Sequence, residues 1–141
     1  MNKFFSVLPF REDAGLFIIR IIAGFFLIYH GWEIFSSDKM NEYLQWDQFK
    51  TGSNSKWLVY GGKAAELLGG VLLTLGYLTR IAVIILAGTM SYIAFFIGHG
   101  KIWYEDQHPF LFVLLVAVFF FTGPGKFSLD EVLQSKKMKN V

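Results

Sequence analysis

Residues 16–35 read LFIIRIIAGFFLIYHGWEIF, and residues 57–77 read WLVYGGKAAELLGGVLLTLGY. Each is an apolar run of roughly the 20 residues that carry a helix across a bilayer. Each also has a charge inside it, Arg20 in the first and Glu66 in the second. Two more apolar runs follow, Ile81 to Gly98 and Pro109 to Gly123. The four runs predict an all-α fold, a four-helix transmembrane bundle. An ionisable group inside a membrane helix is expensive and marks function or an internal pair, so Arg20 and Glu66 head the candidate residues.

The composition agrees. The chain has 141 residues, 54% hydrophobic, 18% aromatic and only 17% charged. A soluble domain of this length could not hide so much apolar surface, whereas a bilayer covers it. One membrane domain over residues 1–141 is expected. The net charge of +2 gives no reason to expect nucleic acid as a partner. The absence of cysteine excludes disulfide relays, thiolate metal sites, iron–sulfur clusters and covalently attached haem. No small-x-small cleavage site follows the first run, which is therefore expected to remain as a helix.

Helices are predicted at about 14–36, 57–77, 80–99 and 106–123. The fourth apolar run is shorter, about 15 residues or roughly 22 Å. Its helix is expected to start a little earlier than the run, with Glu105 or Asp106 in its first turn, where a carboxylate suits the positive end of the helix dipole. Ser36 to Lys56 is the long polar loop, and Gly76 to Arg80 is a tight hairpin. Ser128-Leu129-Asp130-Glu131 fits a capping box and predicts a short interfacial helix at about 129–137. Lys3, Arg11, Arg80, Lys126, Lys136, Lys137 and Lys139 fall on one side and place both termini in the cytoplasm. Trp32, Trp46, Trp57 and Trp103 then gather at the outer interface, the zone that amphipathic indoles prefer.

Helical spacing puts Arg20, Gly24, Leu27 and Gly31 on one face of the first helix. Gly62, Glu66, Gly69, Gly70 and Leu73 form a matching face on the second. Packing these faces together directs Arg20 and Glu66 inward, and small residues allow the close approach. By depth, His30 is the nearer partner for Glu66, so both Arg20 and His30 remain candidate partners. Gly88, Tyr92, Phe95 and His99 share a face of the third helix and would line the same interior. The ligand- or proton-site candidates are thus Arg20, His30, Glu66, Tyr92 and His99. The bland alternatives are an ion pair that only fixes helix register, an arginine that snorkels to headgroups, and histidines satisfied at the interface. A bis-histidine haem site from His30 and His99 has no motif beyond the two histidines, and no metal ligand is assigned. A quinone has a physical rationale, since it needs an apolar slot with a proton-exchanging His or Glu at the carbonyl end. The residues alone leave the cofactor unassigned.

The pattern resembles the DoxX family of small four-helix membrane proteins. The resemblance is carried by Arg20 with Gly24 and His30-Gly31, by Glu66-Leu67-Leu68-Gly69-Gly70, and by Leu75 to Arg80. Gly123-Pro124-Gly125-Lys126-Phe127-Ser128-Leu129-Asp130 extends it over nearly the whole chain. Glu33 departs from it, standing where many relatives carry lysine, as does the aromatic-rich loop Ser36 to Lys56. The resemblance implies a bacterial-type plasma-membrane protein in a lipid bilayer. It also implies links to quinone-dependent sulfur oxidation or to membrane oxidoreductase complexes, with a partner redox subunit or a second copy of the chain as further partners. Lacking cysteine, the chain would need a bound cofactor or partner for any redox role. The alternative is a non-enzymatic component, a small-solute carrier or a scaffold for a partner enzyme.

Overall fold

The structure, a computed structural model, describes residues 11–50 and 52–139. Lys3, counted in the charge asymmetry, lies outside them. Among the described residues there is no strand, and seven α-helices form in place of the five expected. They are α1 (Glu12–Trp32), α2 (Ser37–Leu44), α3 (Asp47–Lys50), α4 (Ser55–Leu75), α5 (Thr79–Tyr92), α6 (Gln107–Thr122) and α7 (Leu129–Lys139). A 3₁₀ turn, Glu33–Phe35, extends α1, and a π turn, Ile93–Ile97, extends α5.

The two unforeseen helices lie in the stretch read as a polar loop. Ser36 caps α2 by accepting the Lys39 N–H at 3.4 Å. Met40 and Phe49 then bury against Val59 of α4 as a second small core. The stretch folds because it has its own apolar anchors, spaced too widely to register as a periodic run. It forms a cap over one end of the bundle.

Three segments are long and apolar enough to cross a membrane: Glu12–Phe35, Ser55–Leu75 and Thr79–Ile97. The fourth apolar helix, α6, has 16 residues, about 24 Å against a hydrocarbon core of about 30 Å. It starts at Gln107 with Asp106 at its N-cap, and no carboxylate stands in its first turn. Asp106 turns back instead, and its Oδ2 accepts the His99 and Lys101 N–H groups at 2.9 Å each. The acid serves the preceding loop rather than the helix dipole.

α1 packs most extensively against α4, and the reason is glycine. A Cβ on Gly31 would collide with the Leu67 backbone, and one on Gly70 would lie 2.8 Å from the Ile28 nitrogen. Gly69 faces α5 instead, where a Cβ would lie 2.7 Å from Leu86 Cδ2. Gly62 faces neither helix, since nothing lies within 4 Å of a Cβ there. The glycine face predicted on α4 is thus divided between α1, α5 and open space. Ala23, Leu27, Leu73, Leu86, Val116 and Phe119 fill the core between α1, α4, α5 and α6.

The opposite end of the bundle is held by a polar clasp. Gly76 ends α4 in the left-handed region at φ +62°, where glycine carries no Cβ strain. Leu78 adopts φ 47° just beyond it. The Asp130 carboxylate accepts the Leu78 and Thr79 N–H groups at 2.8 and 2.9 Å, and its own N–H reaches the Gly76 carbonyl at 2.9 Å. The start of α7 therefore caps the start of α5. Ser128 Oγ accepts the Glu131 N–H at 3.2 Å, half of the capping box read in the sequence.

Gly31→Ala and Gly62→Ala should separate cleanly in thermal unfolding of the purified protein. Gly31→Ala should lower stability by about 1–3 kcal/mol, as overpacking does. Gly62→Ala should leave it unchanged or raise it by up to about 1 kcal/mol through helix propensity.

Candidate functional site

At the end of the bundle beneath the α2–α3 cap, four polar side chains from three elements converge. Lys63 and Glu66 stand three residues apart on α4, a spacing that places them on one face. Glu33 comes from the 3₁₀ turn after α1, and Tyr43 from α2. Lys63 Nζ lies 2.9 Å from Glu33 Oε2 and 3.0 Å from Glu66 Oε2. The Tyr43 hydroxyl donates to Glu33, and the Tyr43 ring lies under the ammonium, 4.9 Å from Nζ to centroid. One cation thus bridges two carboxylates. Glu66 is 3% exposed, and leaving it without a partner there would carry a heavy desolvation cost. Burial, with the bond to Glu33, pushes the Tyr43 hydroxyl up to about 12, so it remains a donor.

Glu66 and Lys63 lie on the wall of a cavity of about 310 Å³. Leu27, Met90, Ile93 and Phe112 give it apolar walls, and Trp46 and Phe49 of the cap cover it. His30 of α1 and His108 at the start of α6 stand on the same wall, their rings 5.6 Å apart and edge-on. The space exists because Gly62 presents no side chain to it. Such a cavity, mostly apolar with a few convergent polar groups, has the form of a small-molecule site.

The sequence candidates divide between this site and other places. His30, Glu66 and Tyr92 line the cavity, with Tyr92 stacked on Phe96 at 5.3 Å. Arg20 does not. It is 1% exposed at the opposite end, where its guanidinium donates to the Pro124 and Phe127 carbonyls and lies against Gly76. Since Gly31 touches Leu67 and Arg20 touches Gly76, the two levels are about 16 Å apart along α1. An Arg20–Glu66 pair is therefore ruled out. Glu66 takes Lys63 as its ion partner rather than either proposed residue. His99 also lies away from the cavity. It follows the π turn with its side chain exposed and its N–H on Asp106, and His108 holds the position opposite His30.

Lys63, Glu33, Tyr43 and His108 are not among the site candidates taken from the sequence. The Lys-x-x-Glu spacing was the signal available for Lys63. Glu33 and Tyr43 depend on how the 3₁₀ turn and α2 fold back, which no local pattern encodes. Among the described residues, no three His, Asp or Glu side chains gather as a metal-ligand set.

Long apolar helices around a buried, charge-lined cavity define a helical membrane protein. The chain belongs to the DoxX family, whose model matches residues 15–100. That span runs from α1 through the end of the π turn and contains Arg20, His30, Glu33, Lys63, Glu66 and Tyr92. An uncharacterized protein of Haemophilus influenzae is 30% identical over 127 residues, covering 82% of this chain and 88% of the relative. No solved structure matches the chain.

Lys63→Met should lower stability by about 3–5 kcal/mol, because Glu33 and Glu66 lose their shared counter-ion. Adding Glu33→Gln and Glu66→Gln should restore most of it. Thermal unfolding of the single and triple variants in detergent measures both effects.

Proposed function

We propose that the protein is a four-helix subunit of a membrane oxidoreductase system that binds a quinone-class ring in the cavity beneath the α2–α3 cap. The observation that carries this reading is the cavity itself, an apolar slot of about 310 Å³ with Glu66 and His30 on its wall. A quinone headgroup needs flat apolar walls and, at its oxygens, groups that exchange protons. A closed Arg20–Glu66 pair in a solid interior would have favoured a scaffold. Glu66 faces open space instead, and Arg20 is engaged at the other end. In this reading α6 is the fourth span, both termini are cytoplasmic, and α7 lies at the inner surface of the plasma membrane. The cavity then opens in the outer half of the bilayer. The family and the apolar wall support a lipid-borne ligand over a water-borne one.

Two measurements test this. Decylubiquinone and menadione, titrated into detergent-solubilised protein with tryptophan emission as readout, should bind saturably. Gly62→Phe should abolish binding while the fold is kept, because its ring would occupy the cavity. Glu66→Gln should weaken binding by about tenfold, the worth of one charge-assisted hydrogen bond. Undiminished binding to Gly62→Phe, or no binding to the wild type, would favour the carrier or scaffold reading. Reporters fused after Val141 and within Gly52 to Ser55 should report opposite sides of the membrane, and the same side for both would overturn the topology.

A further inference from the structure

Glu33, Lys63 and Glu66 form an unbroken line of ionisable groups between the protein's surface and its cavity. The contacts are 2.9 Å from Glu33 to Lys63 and 3.0 Å from Lys63 to Glu66. Side-chain exposure falls along the line, from 24% at Glu33 to 14% at Lys63 and 4% at Glu66. Only Lys63 and Glu66 reach the cavity wall, and Glu33 stands behind them toward the cap. An ion pair that only fixed helix register would need one acid and one base. The second carboxylate, joined to the first through a single ammonium, gives a proton somewhere to go.

We propose that Glu66, Lys63 and Glu33 are a proton relay, through which a ring-hydroxyl ligand in the cavity exchanges its proton with water on the outer side of the membrane. The proposal rests on the quinone-class reading of the cavity and adds a route and a side. The ligand's O–H bond breaks and a new O–H bond forms on Glu66. Lys63 passes one of its protons to Glu33 and takes the proton from Glu66. Glu33 releases its proton to outer water. The ligand oxygen is left one proton poorer and the water one proton richer, and no electrons move. The three residues end in their starting states.

The surroundings favour this route. Tyr43 donates to Glu33 and holds it toward Lys63. With its hydroxyl pushed up to about 12, Tyr43 orients the relay and does not carry the proton. Tyr43 also lines the cavity, and the other titratable groups on its wall are His30 from α1, Tyr92 from α5 and His108 from α6. His30 and His108 lie edge-on to each other and offer the competing path.

The probe is 2-hydroxy-1,4-naphthoquinone, whose ring hydroxyl changes colour when it loses its proton. Wild-type protein is reconstituted in liposomes with the cap side outward and the probe bound. After a pH jump applied outside, the colour of the bound probe follows the jump. Lys63→Arg is the decisive variant. It keeps a cation between both carboxylates, but a guanidinium does not give up a proton. At a probe concentration that saturates the variant, the colour response of the bound probe should slow by about tenfold or more, as for loss of an acid–base group. Glu33→Gln, which keeps an acceptor for Lys63 and Tyr43 outside the cavity wall, should slow it likewise. Glu33→Asp should restore part of the rate. An unchanged rate in both Lys63→Arg and Glu33→Gln, with the probe bound, overturns the relay and assigns the exchange to His30 and His108. Failure of the wild type to bind the probe overturns the relay together with the quinone-class reading.

Discussion

The close approach of α1 and α4 sets the geometry of everything else in this protein. Gly31 sits on the Leu67 backbone and Gly70 on that of α1, with no room for a side chain at either point. In a bilayer, where apolar side chains gain nothing by leaving lipid for one another, such backbone contact is a principal source of helix association. It also fixes the axial register of the two helices. That register places Glu33 and His30 level with Lys63 and Glu66 at one end, and Arg20 level with Gly76 at the other.

Buried charge is then handled by two different means. At the capped end, two acids share one base through short ion pairs, with an aromatic ring beneath the cation. At the other end, among the described residues, no carboxylate is in hydrogen-bond contact with Arg20, whose two terminal nitrogens donate to the backbone carbonyls of Pro124 and Phe127. Those carbonyls are free because Gly123, at φ 75°, and Gly125, at φ 78°, take the chain out of helical geometry. Arg20 thereby ties the segment before α7 to α1, while Asp130 ties α7 to the start of α5. A cation read as a site candidate acts as a structural clasp. The apolar cavity lies at the other end, where Gly62 leaves space for it.

Much of this was legible in the sequence. The long apolar runs, the hairpin at Gly76, the small-residue faces with Gly24 and Gly31 on α1 and Gly70 on α4, and the inward position of Glu66 all follow from local patterns. Helix periodicity and the cost of burying charge are properties of a few neighbouring residues. The loop Ser36 to Lys56 was misread because Met40 and Phe49 are too sparse to form a period, and they fold through contact with Val59. Helical spacing set His99 on the interior face of the third helix because the π turn and the Asp106-capped loop that follow α5 are invisible to a helical count. Their effect is to carry His99 off the cavity and bring His108 onto it.

By itself the sequence determined that the chain is helical, that its helices are apolar enough for a membrane, and that its charges inside those helices require partners. Each of these depends on composition and short-range spacing. Tertiary structure alone decided which partners those charges took. Arg20 and Glu66 share the inward faces of neighbouring helices, yet the α1–α4 register holds them about 16 Å apart. Glu33 meets Lys63 only because the chain turns tightly after α1 and α2 lies back over it. Ion-pair energies fall within a few ångströms in a way that residue spacing along one helix cannot report, so the site had to be read from the packed bundle.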